Sequence, residues 1–142
     1  MKKYSLFYIK NDIYNTYKHN SYILYQTLKS INDLSSKNIR YGKSLYEQLC
    51  IPYDLKRINK YLINKYTLLI RKNNKYWFIN SYTGEHTLVK LKYSRIIVET
   101  NTDYPEILKV LSFYSYKLFV CDFKFDDYFW LSSKIGLSNA LF

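Results

Sequence analysis

The fold is decided by residues 4–28, which read YSLFYIKNDIYNTYKHNSYILYQTL. The apolar residues from Tyr4 to Ile9 predict a β-strand, and the pattern then changes to that of a short helix from Asn11 to Lys18. The pair His19-Asn20 interrupts this helix, and Ser21 begins a second one. The stretch therefore predicts one strand followed directly by two helices.

The two helices place their apolar residues differently. The longer one carries a stripe with spacings of four and three residues, which is typical of a helix packed on a core. This stripe consists of Leu24, Leu28 and Ile31. In the short helix, Ile13 and Tyr17 share a face because they are four residues apart, and Tyr14 lies beside them. If the longer helix packs on the core, we expect the short helix to display Ile13 and Tyr17 outward as a binding surface.

The strongly basic composition restricts the classes of partner. The 142 residues predict one domain, and 22 Lys and Arg against 11 Asp and Glu give a formal net charge of +11. This charge is compatible with an acidic protein, nucleic acid or an anionic membrane. The basic residues stand mostly singly, which favours a solvated surface over a continuous phosphate track.

Two more helices are predicted in the middle of the chain. The first spans about Ser36 to Leu49, with Leu45 and Leu49 facing inward. The second begins near Pro52, because Pro52 and Asp54 both suit the first turn of a helix. Its apolar residues keep an i, i+4, i+7, i+11 register, which predicts a core stripe. They are Ile51, Leu55, Ile58 and Leu62.

Beyond Tyr66 the apolar period changes from 3.6 to 2 residues, which indicates β-strands. Thr67–Arg71 and Lys75–Asn80 flank Asn73-Asn74, a pair that tolerates positive φ and suits a tight hairpin. The further predicted strands are His86–Lys92, Arg95–Thr100, Leu118–Phe123 and Tyr128–Leu131. Between the second and third of these, Asp103 and Glu106 form a D-x-x-E capping pattern that begins a helix.

The succession of elements predicts a single α+β domain. We expect residues 1–131 to form a mainly antiparallel sheet packed with helices. The last eleven residues contain a glycine and several small polar residues. We therefore expect residues 132–142 to be a loosely ordered tail.

The sequence contains no recognisable catalytic motif. His19 falls in the helix break and His86 beside a turn, and each of the three glycines is isolated, which excludes a phosphate-binding loop. Asp122, Asp126 and Asp127 admit a metal site as an alternative. The simpler interpretation is a turn at the last two, with Asp122 paired to a lysine, because hard cations generally need more oxygen ligands. We predict a protein that is not an enzyme and uses no cofactor or metal.

The cysteines and the apolar runs indicate where the protein acts. Cys50 and Cys121 match no metal-ligand spacing and are predicted to be buried free thiols in a reducing cytosol. The N-terminal apolar run ends at Lys10, too early for a signal peptide. No run approaches the roughly 18 apolar residues of a membrane span. We expect a cytoplasmic, monomeric protein.

Nucleic-acid binding is the alternative to protein binding. Lys75-Tyr76-Trp77-Phe78 mixes basic and aromatic residues, as stacking platforms do. Tyr76 and Phe78 share one face of the strand, however, while Trp77 points to the other. One of these faces must be core, which removes half of the signal. Direct nucleic-acid binding is therefore the less favoured interpretation, and an interaction with some other protein is a third.

Both ends of the chain carry a combination of motifs with a known counterpart. The N-terminal motif consists of Tyr8, Ile9, Lys10, Asp12, Ile13 and Tyr17. Near the other end, Leu118–Phe123 is an apolar-Asp-Phe strand, and Tyr128–Leu131 is a Tyr-x-Trp-Leu segment. In this order, with Ile51-Pro52 before the long helix, the motifs resemble SirA, the sporulation inhibitor of replication of endospore-forming Firmicutes.

The resemblance implies a function and a site. Proteins of the SirA family are small non-enzymatic inhibitors that bind the N-terminal domain of the replication initiator DnaA and restrain chromosome replication during sporulation. The family binds through its short first helix, which implies Ile13 and Tyr17 here, with Tyr14 beside them. The next helical region implies Lys43 and Tyr46. The family has an aromatic residue where this chain has Ile13, which offers an apolar pocket less contact area.

Overall fold

This computed structural model describes residues 1–34, 38–66 and 70–132, in which four helices follow the first strand and four strands follow those helices. The elements of these residues are β1 (Lys2–Tyr8), α1 (Asn11–Tyr17), α2 (Tyr22–Asp33), α3 (Ile39–Leu49), α4 (Leu55–Lys65), β2 (Ile70–Lys72), β3 (Lys75–Asn80), β4 (Glu85–Leu91), β5 (Ile96–Thr100), α5 (Glu106–Ser112), β6 (Leu118–Asp122) and β7 (Asp127–Trp130). The predicted sequence of one strand and two helices at the N-terminus is confirmed.

The strands form one sheet in the order β2-β3-β4-β5-β1-β6-β7, and every neighbouring pair is antiparallel. The N-terminal strand β1 lies between β5 and β6, where Leu6 pairs with Ile96 on one side and with Val120 on the other. Such a position requires apolar residues on both faces, and residues 4–7 of β1 are all buried. The α+β fold class with an antiparallel sheet is confirmed.

Two apolar clusters lie on opposite faces of the sheet. Because side chains alternate along a strand, Leu6 enters one cluster and Phe7 the other. The first cluster packs α4 and α5 against the sheet, through Ile58 and Leu111 among others. The second joins α1, α2 and α3 to the strands at the β1-β6-β7 side, and we call it the helical-face cluster. The predicted α2 residues Leu24 and Leu28 are buried in it.

The β2-β3 hairpin is held to α4 by a buried polar network. The turn is formed by Asn73 and Asn74, which both have positive φ (48° and 63°), as a tight hairpin requires. The amide of Asn59 in α4 donates to Asn74 Oδ1 (2.7 Å) and to the backbone carbonyl of Leu55 (2.9 Å). The Tyr76 hydroxyl donates to Asn59 Oδ1. The predicted hairpin is confirmed, and its placement depends on a helix residue.

Three local predictions that involve acidic residues were wrong. Helix α4 begins at Leu55, so Pro52 and the predicted stripe residue Ile51 precede it. Asp54 is its N-cap and accepts from the Arg57 backbone N–H (3.2 Å). Asp103 does not cap α5 but pairs with Lys2 (3.0 Å). Asp122 accepts from two backbone N–H groups of the following turn, and the ion pair with a lysine is made by Asp126 instead.

Some predictions fall on residues outside the described ranges. These are the beginning of the Ser36 helix, the beginning of the Thr67 strand and the tail beyond residue 132. Among the helices of the described ranges, none has the length and apolar character needed to cross a bilayer.

Candidate partner-binding site

Helix α1 is positioned by hydrogen bonds between the end of β1 and the end of α3. The backbone N–H of Lys10 donates to the carbonyl of Leu49 (2.9 Å), and that of Ile51 donates to the carbonyl of Tyr8 (2.8 Å). Between them, Ile9 and Cys50 form an isolated antiparallel bridge. The first helix and the third are therefore joined at one fixed point, although residues 18–38 separate them in the sequence.

The expectation that α1 displays its apolar residues outward needs correction. Ile13, Tyr14 and Tyr17 are half-buried, and all three pack against the helical-face cluster. Their spacing of one and four residues places them on one side of the helix. This side faces the sheet because it carries the apolar side chains that the helix can bury there. The three side chains keep part of their surface in solvent, and we call them the α1 face.

Tyr14 is the most firmly held member of the α1 face. Its ring meets Trp130 of β7 edge-on at a centroid distance of 4.8 Å and Tyr116 at 5.0 Å. The Tyr116 hydroxyl donates to Asn11 Oδ1 at the beginning of α1 (3.2 Å). Tyr14 therefore contributes mainly to attaching the helix, while Ile13 and Tyr17 are the better candidates for direct contact with a partner.

The sequence reasoning missed two exposed apolar residues at the beginning of α2. Tyr22 is 52% exposed and Ile23 is 50% exposed, and they follow the α1-α2 break directly. The Tyr22 hydroxyl accepts from the Gln26 amide (2.8 Å), which keeps the ring on the outer side of the helix. Periodicity could have revealed them, because residues outside the buried stripe of Leu24 and Leu28 are expected to face solvent.

Lys43 and Tyr46 line an open groove of about 480 Å³ beside α3. We call it the α3 groove. Its apolar lining is provided by Ile31, Leu34, Ile39, Tyr46, Pro52 and Tyr93. Gly42 also lines it, and a Cβ there would lie 3.1 Å from Leu34 Cδ1, so a larger residue would press on the end of α2.

The charged residues of the α3 groove differ in their pairing. Lys43 is exposed and lies 3.9 Å from Glu47 within the same helix. Arg95 is half-buried, lies over the Phe7 ring (4.9 Å) and donates to Asn32 Oδ1 (2.9 Å). Burial lowers the pKa of the Arg95 guanidinium, yet arginine remains charged at neutral pH. No carboxylate of the described ranges forms an ion pair with Arg95.

Tyr46 connects the groove with the helical-face cluster. It is half-buried, packs against that cluster and directs its hydroxyl toward the carbonyl of Tyr93 (3.4 Å). Burial raises the pKa of Tyr46, so its hydroxyl is neutral at physiological pH and serves as a hydrogen-bond donor. The structure thus brings Ile13, Tyr14, Tyr17 and Tyr46 against one cluster, with Lys43 one turn from Tyr46 on the solvent side.

The cysteines offer little nucleophilic chemistry. Cys50 and Cys121 are buried free thiols, as predicted. Burial raises the pKa of Cys50 to about 12 and that of Cys121 well above its usual value. Both are therefore protonated at neutral pH, whereas the thiolate is the reactive form. Within the described residues, no group of three or more His, Cys, Asp or Glu side chains is arranged to hold a metal ion.

The sequence matches no protein-family model and no curated protein.

Proposed function

We propose that this protein is a non-enzymatic inhibitor that binds the N-terminal domain of DnaA in the cytoplasm and restrains chromosome replication during sporulation. One observation carries the proposal beyond the resemblance of motifs. Four of the implied binding residues, Ile13, Tyr14 and Tyr17 of α1 and Tyr46 of α3, pack against the same apolar cluster, and each keeps part of its surface in solvent. A surface with a few partly exposed apolar anchors and a polar rim suits a small protein–protein interface.

The charges favour an acidic partner surface. The protein carries a formal net charge of +11, which accelerates association with an acidic domain in a salt-dependent way. Arg95 adds a more specific demand, because its half-buried guanidinium lies in an apolar groove and forms no ion pair with the described carboxylates. A partner that inserts an Asp or Glu between apolar side chains satisfies this arrangement.

The test is a calorimetric titration with the DnaA N-terminal domain of the same organism, at low and at physiological salt. We expect saturable one-to-one binding that weakens as salt rises. Tyr17→Ala is expected to cost about 2 kcal/mol of binding, the loss typical of an interface anchor. Tyr82→Ala is the matched control, because Tyr82 is fully exposed and lies in the β3-β4 connection, away from α1.

A second variant separates binding from folding, since Tyr17 also packs against the cluster. Lys43 is 74% exposed, so Lys43→Glu leaves the core intact. We expect this variant to slow association. Lys60→Glu, on the exposed side of α4, is expected to slow association only by the general effect of the changed net charge. Full affinity in folded Tyr17→Ala and Lys43→Glu proteins would refute the site, and no binding by the folded wild-type chain would refute the function.

A further inference from the structure

The half of the sheet away from α1 has an open face. Residues paired across antiparallel strands share a face, so the register places Ile70, Trp77 and Leu88 side by side on β2, β3 and β4. They lie on the same side of the sheet as Phe7, but neither apolar cluster of the described residues includes them. Ile70 is 64% exposed and the neighbouring Ile79 is 62% exposed. Within the described residues, this part of the helical face is therefore covered by neither cluster and is partly exposed to solvent.

A row of lysines runs beside this apolar row. Lys72 pairs with Lys75, and Lys75 pairs with Lys90, so three lysines stand abreast on adjacent strands. Strands are about 4.8 Å apart, so the row spans about 10 Å, and it lies about 7 Å from the row of Trp77. Lys72 and Lys75 are exposed. We call the two rows together the β2-β4 face.

The lysine row destabilises the folded protein when no anion is bound to it. Like charges directly opposite each other across a strand pair are destabilising. Lys90 is compensated by Glu99 at 2.9 Å, and Glu99 is the one acidic residue that the register places on this face of the described strands. For Lys72 and Lys75 no ion pair with a described carboxylate is formed. An external anion would relieve this repulsion.

Trp77 specifies the kind of anion. Its half-buried indole lies in the row adjacent to the lysines, and strand side chains stand roughly perpendicular to the sheet. A positively charged surface combined with an aromatic side chain is the arrangement that binds unpaired bases together with their phosphates. The other two rings of the Lys75-Phe78 segment do not contribute, because Tyr76 and Phe78 pack in the core on the opposite face.

We propose that the β2-β4 face binds single-stranded nucleic acid, with a base stacked on Trp77 and the backbone phosphates along Lys72 and Lys75. The proposed site does not include the α1 face or the α3 groove, so its test is independent of DnaA binding. A duplex is excluded as the preferred ligand because its bases are already stacked and paired.

The experiment uses the full chain and a fluorescently labelled oligothymidylate of about 12 nucleotides, followed by anisotropy at several salt concentrations. The probe is compared with a duplex of equal length and with poly-L-glutamate. We expect preference for the single strand and affinity that falls with salt. Trp77→Leu, which keeps the apolar character, is expected to lose affinity about 10-fold, whereas Trp77→Phe keeps most of it because a ring still stacks.

The lysines are tested by two double variants of equal charge. Lys72→Gln/Lys75→Gln removes the proposed phosphate contacts and is expected to lower the slope of log affinity against log salt by about 1.4, or about 0.7 for each phosphate. Lys56→Gln/Lys60→Gln removes two exposed charges from α4, which packs against the other face of the sheet. It is expected to leave most of the slope unchanged.

Any one of five results would overturn the proposal. The first is that the folded wild-type protein fails to bind the oligonucleotide even at low salt. The second is that the duplex binds as tightly as the single strand. The two double variants lose equal affinity, which indicates unspecific attraction to the net charge. Trp77→Leu binds as tightly as the wild type. Finally, poly-L-glutamate binds more tightly than the oligonucleotide in a Trp77-dependent way, which assigns the face to an acidic protein.

Discussion

The ring of Tyr14 in α1 meets the indole of Trp130 in β7 edge-on, with the two centroids 4.8 Å apart. This contact joins the first helix to the last described strand. It lies within the helical-face cluster, which also receives Ile13, Tyr17 and Tyr46. The helix that carries the candidate binding residues thus packs against the hydrophobic core, so we expect every variant of the α1 face to change stability as well as binding.

Replacement of Tyr14 by alanine is expected to destabilise the protein by about 2 kcal/mol. The change removes two edge-to-face ring contacts, each worth up to about 1.5 kcal/mol, and part of the buried apolar area of the helix. Urea unfolding measures the effect. Tyr82→Ala, at a fully exposed position, is the control and is expected to change stability by less than about 0.5 kcal/mol. Equal unfolding midpoints for both variants would contradict the structural role of Tyr14.

Replacement of Arg95 by methionine is expected to separate stability from binding. Methionine fills a similar space and avoids the cost of burying a charge, so we expect the free energy of unfolding to change by no more than about 1 kcal/mol. Binding to a partner that supplies a carboxylate should weaken at least about 10-fold, the loss typical of a charge-assisted hydrogen bond. Unfolding curves and titration against the DnaA domain measure the two effects. Unchanged affinity would show that the partner does not contact Arg95.

The Lys29–Asp126 pair is expected to make stability depend on acid pH. The hydrogen bond from Lys29 (2.6 Å), followed by that from the Tyr25 hydroxyl, holds the pKa of Asp126 below its usual value of 3.8. A lowered pKa in the folded state stabilises the protein above the usual value, and this stabilisation is lost as pH falls through the lowered one. The advantage of the wild type over Asp126→Asn should therefore be constant near neutral pH and decrease below about pH 4.

The measurement for Asp126 is urea unfolding of both proteins at several pH values. Asparagine tolerates the positive φ of position 126 (53°), so the substitution leaves the turn intact. Asp127→Asn removes an equal charge from the next residue, which is exposed, and serves as the control. If the two substitutions show the same dependence on pH, the pair with Lys29 has no specific contribution.

The buried network of Asn59 and Tyr76 is expected to behave as a unit. Asn59→Ala leaves the buried Tyr76 hydroxyl without its acceptor, at a cost of about 1 to 3 kcal/mol, and Tyr76→Phe leaves the Asn59 oxygen without its donor. We expect the double variant to lose less than the sum of the single losses. A double-mutant cycle by chemical unfolding measures this coupling. Additive losses would mean that the hydrogen bond contributes nothing to stability.

The elements that could be predicted from the sequence were those whose structure depends on residues close together in the chain. The Asn73-Asn74 hairpin follows from residues that tolerate positive φ, and the buried β6 strand follows from a run without polar interruption. The caps of α4 and α5 could not be predicted as reliably, because an acidic residue near a helix end has several possible partners. The position of Lys2, distant in sequence, determines that Asp103 forms an ion pair and does not cap the helix.

The sequence by itself determined that the chain forms an α+β domain and which residues alternate in the strands. It also determined the buried centre of two helix stripes, which consists of Leu24 and Leu28 in α2 and of Ile58 and Leu62 in α4. These properties depend on periodicity, and periodicity is a local property of the chain. Only the tertiary structure decided that α1 turns its apolar side toward Trp130 and that Trp77 stands beside a row of lysines. The reason is physical: which face of an element is buried depends on the neighbours that cover it, and strand order and register choose those neighbours.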